Sequence, residues 1–163
     1  MTSETTAAAK ALVKLCADKH LKIATAESCT GGLVSAALTE IAGSSAVFER
    51  GFVTYSNEAK RQMLGVPAET LRVYGAVSRQ TAEAMARGAL SKAKADLAVA
   101  ITGIAGPGGG SPDKPVGLVH FAAVTRDGTS MHAAKRYGEI GRSQVREKSV
   151  LQALSMMQEL AEG

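Results

Sequence analysis

Ser28 stands in the segment Ala26-Glu27-Ser28-Cys29-Thr30-Gly31-Gly32, after a short apolar run (Leu21, Ile23, Ala24) and before an amphipathic stretch from Leu33 to Ile41. A serine at a strand-to-helix junction, backed by two glycines, can present its hydroxyl beside unpaired backbone N–H groups. Here those would be near Thr30, Gly31 and Gly32, where the partial positive charge of a helix N-terminus stabilises an anion or a developing oxyanion. The same residues also suit a plain helix cap, because Ser and Thr are favoured N-caps and glycine eases tight turns. Glu27 either orients such a site or caps a neighbouring backbone group. Cys29 is either a reactive thiol at a helix start or a small buried residue.

A serine hydroxyl is a poor nucleophile until a base takes its proton. Tyr55-Ser56-Asn57-Glu58-Ala59-Lys60 offers one, since Tyr55 falls at a strand end and Lys60 about one turn into the following helix. Lys60 can act as a base if burial lowers its pKa from about 10.4 toward the working pH. Tyr55 would then pass the proton between Ser28 and Lys60. The alternatives are a strand-end aromatic with a wet hydroxyl and a solvated lysine. His20 precedes a strand, and His120 and His132 lie within strands, where exposed or structural roles suit them. No spacing among the three suggests a metal site.

Two further segments could contact a ligand. Thr102-Gly103-Ile104-Ala105-Gly106-Pro107-Gly108-Gly109-Gly110-Ser111 is a loop whose amides can approach a ligand closely, or simply a surface loop. It has neither the Gly-Lys-Ser/Thr ending of a P-loop nor the dinucleotide spacing. Gly141-Arg142-Ser143 opens the last helix and combines free N–H groups with a guanidinium.

The elements that must position these groups follow from hydrophobic periodicity. Helices are predicted at 7–19, 31–41, 57–64, 67–71, 79–93 and 142–160, and strands at 21–25, 47–55, 97–101, 116–125 and 129–137. Leu97 to Ile101 is continuously apolar, as in a central strand covered on both faces. Arg126-Asp127-Gly128 suits a hairpin turn. Helices interleaved with strands, plus one hairpin, give a single three-layer α-β-α domain over 1–163, with a mixed, mostly parallel sheet and a C-terminal hairpin. Three strand ends then carry Ser28, Tyr55 and Thr102, and ligands of α/β sheets collect at carboxyl ends of strands.

Composition narrows the class. Aromatics make up 4% of the 163 residues and tryptophan is absent, so Ala, Val, Leu, Ile and Met must build the core. No run approaches the roughly 20 apolar residues that span a bilayer, and no basic-then-apolar leader opens the chain. Two lone cysteines, Cys16 and Cys29, fit reduced thiols in a cytoplasm. The net charge of +4 is spread out, which allows an anionic small molecule but lacks the basic cluster or aromatic platform of a nucleic-acid binder. The alanine-rich helices 7–19 and 79–93 could support a symmetric homodimer contact.

Five ordered blocks together are far more specific than any one of them. These are Ala26–Gly32, Gly51–Lys60, Gly75-Ala76-Val77-Ser78, Thr102–Pro107 and Lys114-Pro115-Val116-Gly117. In these blocks the chain strongly resembles the CinA C-terminal domain family, the nicotinamide-nucleotide amidases. The resemblance implies hydrolysis of the carboxamide of nicotinamide mononucleotide to nicotinate mononucleotide and ammonia, in pyridine-nucleotide salvage, without a cofactor. It implies Ser28 as nucleophile, with Tyr55 and Lys60 completing the catalytic set, Thr102 as a substrate contact and Arg142, on a looser block, as another. Glu27, Thr30, Gly31, Gly32, Asn57 and Gly103 are the remaining expected substrate contacts. Longer family members carry an N-terminal domain resembling molybdopterin-binding folds, and the pyrophosphatase activity belonging there is not expected of these residues. Nothing in them would execute competence or a DNA-damage response.

Overall fold

The third strand organises the molecule. Leu97–Gly103 (β3 below) is buried from Leu97 through Thr102 and lies at the centre of a five-stranded sheet. The computed structural model describes residues 1–163. In chain order it comprises α1 (Ser3–Asp18), β1 (Ile23–Glu27), α2 (Leu33–Thr39), a 3-10 turn (Ser44–Ala46), β2 (Phe48–Val53), α3 (Asn57–Leu64) and α4 (Ala68–Tyr74). It continues with α5 (Arg79–Lys92), β3, β4 (Leu118–Thr125), β5 (Ser130–Arg136) and α6 (Arg142–Glu162). The strand order is β2-β1-β3-β4-β5. β1 pairs parallel with both β2 and β3, and the β4–β5 hairpin adds two antiparallel pairings. Every strand except β4 therefore points the same way, so the sheet is mixed and mostly parallel.

Alternation along the strands sends successive side chains to opposite faces. Val99 and Ile101 of β3 join Val119, Phe121 and Ala123 of β4 against α1, α2 and α6. Ala98 and Ala100 join Ala122 and Val124 against α3 and α5, where alanines on both surfaces let the helices sit close. Three layers result, as expected from the sequence. No helix is long and apolar enough to cross a membrane.

Element ends differ from the sequence expectation where local chemistry intervenes. α1 begins at Ser3 rather than 7, because the Thr2 hydroxyl accepts from the Thr5 N–H and caps an earlier turn. α2 begins at Leu33 rather than 31, because Gly31 and Gly32 adopt φ of +56° and +106° and belong to the preceding turn. β2 ends at Val53, and α4 reaches Tyr74 before Gly75 terminates it. α6 continues to Glu162.

The connections set the location of a crevice. The chain leaves β1 through α2 on one face of the sheet, and leaves the neighbouring β2 through α3 on the other. Adjacent strands whose connections part to opposite faces leave a gap at their carboxyl ends, the usual binding position in an open α/β sheet. Ser28 and Lys60 both lie at this gap.

Candidate active site

The turn after β1 is held by its own backbone and by Glu27. Ser28 donates its N–H to the Ile101 carbonyl at 2.9 Å, which continues the β1–β3 pairing, and Gly31 N–H donates to the Ser28 carbonyl at 3.1 Å. Glu27 is fully buried. Its carboxylate accepts from the N–H of Gly32 (3.2 Å), Val34 (2.9 Å) and Ser35 (3.0 Å), and from the Ser35 hydroxyl (2.7 Å). It thus satisfies the N-terminal donors of α2 and offsets the positive end of the helix. Both oxygens are engaged there, so Glu27 shapes the turn from within. Glu27→Gln would aim an amide at these donors, and we expect a stability loss of about 2 to 4 kcal/mol by denaturant titration. An unchanged midpoint would remove this structural role.

The turn also changes which donors are free. Gly31 and Gly32, expected near the oxyanion, spend their N–H groups on Ser28 and Glu27. The N–H groups of Cys29 and Thr30 donate to no other residue's backbone. The residue directly after a nucleophile is the usual oxyanion donor of a strand–turn–helix serine. The Thr30 side chain is fully buried, with its hydroxyl oxygen unpartnered. Cys29 is buried and its thiol is pushed up to about 11, chiefly by burial, so it is a neutral packing group.

Lys60 approaches from the other side of the gap. Ser56 caps α3 by accepting from the Ala59 N–H at 3.0 Å, and Lys60 follows one turn later. Helical side chains tilt toward the N-terminus, which returns the amine to the strand end it came from. Nζ donates to the carbonyls of Thr54 (2.9 Å) and Tyr55 (3.0 Å) and lies 2.9 Å from Ser28 Oγ. The side chain is 1% exposed, and burial lowers its pKa from 10.5 to about 8. With two N–H bonds fixed on carbonyls, the neutral amine has its lone pair left for the serine proton. Serine and lysine, 32 residues apart in the chain, form a direct pair.

Ser28 and Lys60 meet directly, and the Tyr55 phenol does not lie between them. Tyr55 contributes its carbonyl to Lys60, while its ring is 59% exposed and its hydroxyl accepts from Arg142 Nη2 at 3.0 Å. Arg142 Nη1 donates to the Gly106 carbonyl at 2.8 Å, so the guanidinium bridges the β2 end and the glycine-rich loop. That loop is itself tied across the molecule by Lys114 Nζ, which donates to the Tyr74 carbonyl at 2.5 Å.

These groups enclose a cleft of about 200 Å³. Ser28 and Lys60 lie on one wall. Thr102, whose hydroxyl donates to the Ala76 carbonyl at 2.8 Å, lines another with Gly103. Tyr55 and Arg142 form the rim. Asn57 is exposed at the start of α3 and does not line the cleft. His120 and His132 lie outside it, bonded Nδ1 to Nε2 at 3.0 Å, with His120 pushed down to about 4, first by burial and then by the charge of His132. A wider groove of about 540 Å³ lies by the hairpin (Arg87, Val124, Arg126, Gly128), but no lysine or histidine lines it beside its hydroxyls. No group of three His, Cys, Asp or Glu side chains is arranged to hold a metal ion.

Two features lie outside the expected site residues. Ala76 and Val77, in the turn before α5, close the cleft. Arg146, on α6, donates from Nε to the Cys29 carbonyl (3.1 Å) and from Nη2 to the Thr30 carbonyl (3.3 Å). Its position four residues after Arg142, on the same helix face, was the available signal.

A three-layer α/β domain with a buried serine–lysine pair at the carboxyl ends of its parallel strands is the class that fold and site define. The chain belongs to the CinA C-terminal domain family, whose profile matches residues 5–161. A competence/damage inducible protein from Agrobacterium tumefaciens, called CihA, has a crystal structure with TM-score 0.97 and 56% identity, covering 98% of this chain and 97% of that one. An Escherichia coli protein of the CinA superfamily aligns with TM-score 0.90 and 34% identity, covering 98% and 90%. The nicotinamide-nucleotide amidohydrolase PncC of Escherichia coli K12 is 64% identical over 106 residues, 65% of this chain and 64% of that protein. A CinA-like protein of Geobacter sulfurreducens is 50% identical over 147 residues. The chain spans 35% and 34% of the lengths of the curated relatives from Caldicellulosiruptor bescii and Acetivibrio thermocellus.

Proposed function

We propose that this chain is a serine amidase that hydrolyses the carboxamide of nicotinamide mononucleotide, giving nicotinate mononucleotide and ammonia in pyridine-nucleotide salvage. The observation that carries this reading is the 2.9 Å contact between a buried lysine amine and Ser28 Oγ. The high identity to an amidohydrolase named for nicotinamide nucleotides supports the choice of substrate. In this reading Ser28 Oγ attacks the carboxamide carbon as its proton passes to neutral Lys60. The carbonyl oxygen, now an oxyanion, meets the free N–H groups of Cys29 and Thr30. Loss of one such donor typically costs about 3 to 4 kcal/mol of transition-state stabilisation. Lys60 returns the proton to the departing nitrogen and ammonia leaves. Water, deprotonated by the same amine, then cleaves the acyl ester.

The cleft is smaller than the roughly 300 to 1,000 Å³ of most ligand sites. It suits the ring and its carboxamide, with ribose and phosphate lying over the open rim. There Arg142 and the amides of the Gly103–Gly110 loop are the expected phosphate contacts, while Thr102 and Gly103 face the ring.

The test is ammonia release from nicotinamide mononucleotide by purified protein with a chelator present. We expect catalytic turnover with a one-to-one yield of nicotinate mononucleotide. A rise in melting temperature with the nucleotide but no ammonia would instead indicate a binding or regulatory module. Turnover of other small carboxamides, but not this nucleotide, would keep the chemistry and replace the substrate.

A further inference from the structure

The guanidinium of Arg146 lies behind the nucleophile turn, where the mechanism so far gives it no part. We propose that Arg146 is a positioning residue for the oxyanion site, an inference that rests on the serine-amidase reading above. Its Nε and Nη2 grip the Cys29 and Thr30 carbonyls. In a planar trans peptide the N–H points opposite to the C=O. Holding the Cys29 carbonyl from behind therefore fixes the direction of the Thr30 N–H, which has no acceptor in the protein. A charge-assisted bond to the carbonyl also polarises the peptide and strengthens its N–H as a donor.

Two observations indicate that the placement is built in. A side chain at Gly31 would put Cβ 3.3 Å from Arg146 Nη2, on a backbone already at φ +56°, so glycine leaves the guanidinium its room. Arg146 is half-buried yet forms no salt bridge, unlike the surface arginines at 50, 61, 72 and 79. Its charge is thus unspent beside the turn on which negative charge develops. A separate cavity of about 200 Å³, bordered by Leu33, Ser143 and Val150, reaches Arg146.

The test uses phosphonylation of Ser28 by a small alkyl fluorophosphonate, followed by intact mass. The Ser28 oxygen bonds to phosphorus, fluoride leaves, and the serine proton goes to Lys60, while the phosphoryl oxygen occupies the oxyanion position. Wild type should label at Ser28 and Ser28→Ala should not. Arg146→Ala should label about 10- to 100-fold more slowly, with Arg146→Lys between the two. Ethylguanidinium at millimolar concentration should enter the vacated cavity and restore part of the alanine variant's rate. The inflection near pH 8 set by Lys60 should stay in place, which a general disturbance of the site would not allow. If the alanine variant does not fold, the lysine variant carries the comparison. Labelling of Arg146→Ala, or of Arg146→Lys where only that folds, within twofold of wild type overturns the proposal alone. Failure of wild type to label at Ser28 overturns the serine-amidase reading and this inference with it.

Discussion

Lys60→Met should lower kcat/KM for amide hydrolysis by about 10³- to 10⁴-fold while leaving folding stability within about 1 kcal/mol at pH 7. The two halves of this expectation have different causes. Activity falls because Nζ is the only amine in contact with Ser28 Oγ. Stability holds because two terms nearly offset. A depression from 10.5 to about 8 means that burying the charged amine costs about 3 kcal/mol. Methionine removes that cost, fills a similar volume and is a good helix former. It also leaves the carbonyls of Thr54 and Tyr55 without their donor, at about 1 to 3 kcal/mol. Kinetics and a denaturant titration on one preparation test both parts. Full activity in a folded Lys60→Met protein would remove the lysine from the reaction.

The same shift carries two pH signatures. In the proposed mechanism acylation needs the neutral amine, so kcat/KM of the wild type should rise about tenfold per pH unit below about 8 and level off above it. For stability the sign is worked from proton counts. Lys60 titrates lower in the folded chain than in the unfolded one, so between about 8 and 10.5 the unfolded state binds more protons. Stability from this group therefore rises with pH across that window and is flat below it. Relative to Lys60→Met, the wild type should gain about 3 kcal/mol between pH 7 and pH 11. A constant difference between the two proteins would contradict a buried, depressed lysine.

Much of this site was legible in the chain because it depends on where strands end. A strand that stops at Glu27, and another at Val53, each followed by a helix, place Ser28 and Lys60 at one end of one sheet. The convergence then follows from parallel pairing alone. What escaped the reading depends on orientation. Nothing in the residue types says that the Tyr55 carbonyl, rather than its phenol, faces the amine. The sequence offered Thr30, Gly31 and Gly32 as equal donors, and only the Glu27 carboxylate decides that Gly32 is consumed. Arg146 acts on a turn more than a hundred residues away, and no local pattern announces which carbonyl an arginine will find. Ala76 and Val77 stand in one of the five blocks but carry no functional group that would mark them as site residues, and they matter because the α4–α5 turn folds over the cleft. Period and capping are local properties, whereas side-chain aim is set by tertiary packing.

Ser28→Ala should abolish ammonia release, by at least about 10³-fold in kcat, in a protein that folds and still binds the mononucleotide. The substitution deletes one oxygen from a residue that is 7% exposed and makes only one short side-chain contact, that with Lys60. The amine keeps both backbone carbonyls, so no buried donor is orphaned beyond the one aimed at the vacated oxygen. The sharper result comes from combining it with Lys60→Met. In the proposed mechanism nucleophile and base act in one step, so once either is gone the other has nothing left to contribute. The double variant should be no slower than the worse single variant, although two independent effects of 10³ would multiply. Residual rates that multiply would mean that serine and lysine serve separate steps, and the direct proton transfer across their 2.9 Å contact would then be wrong.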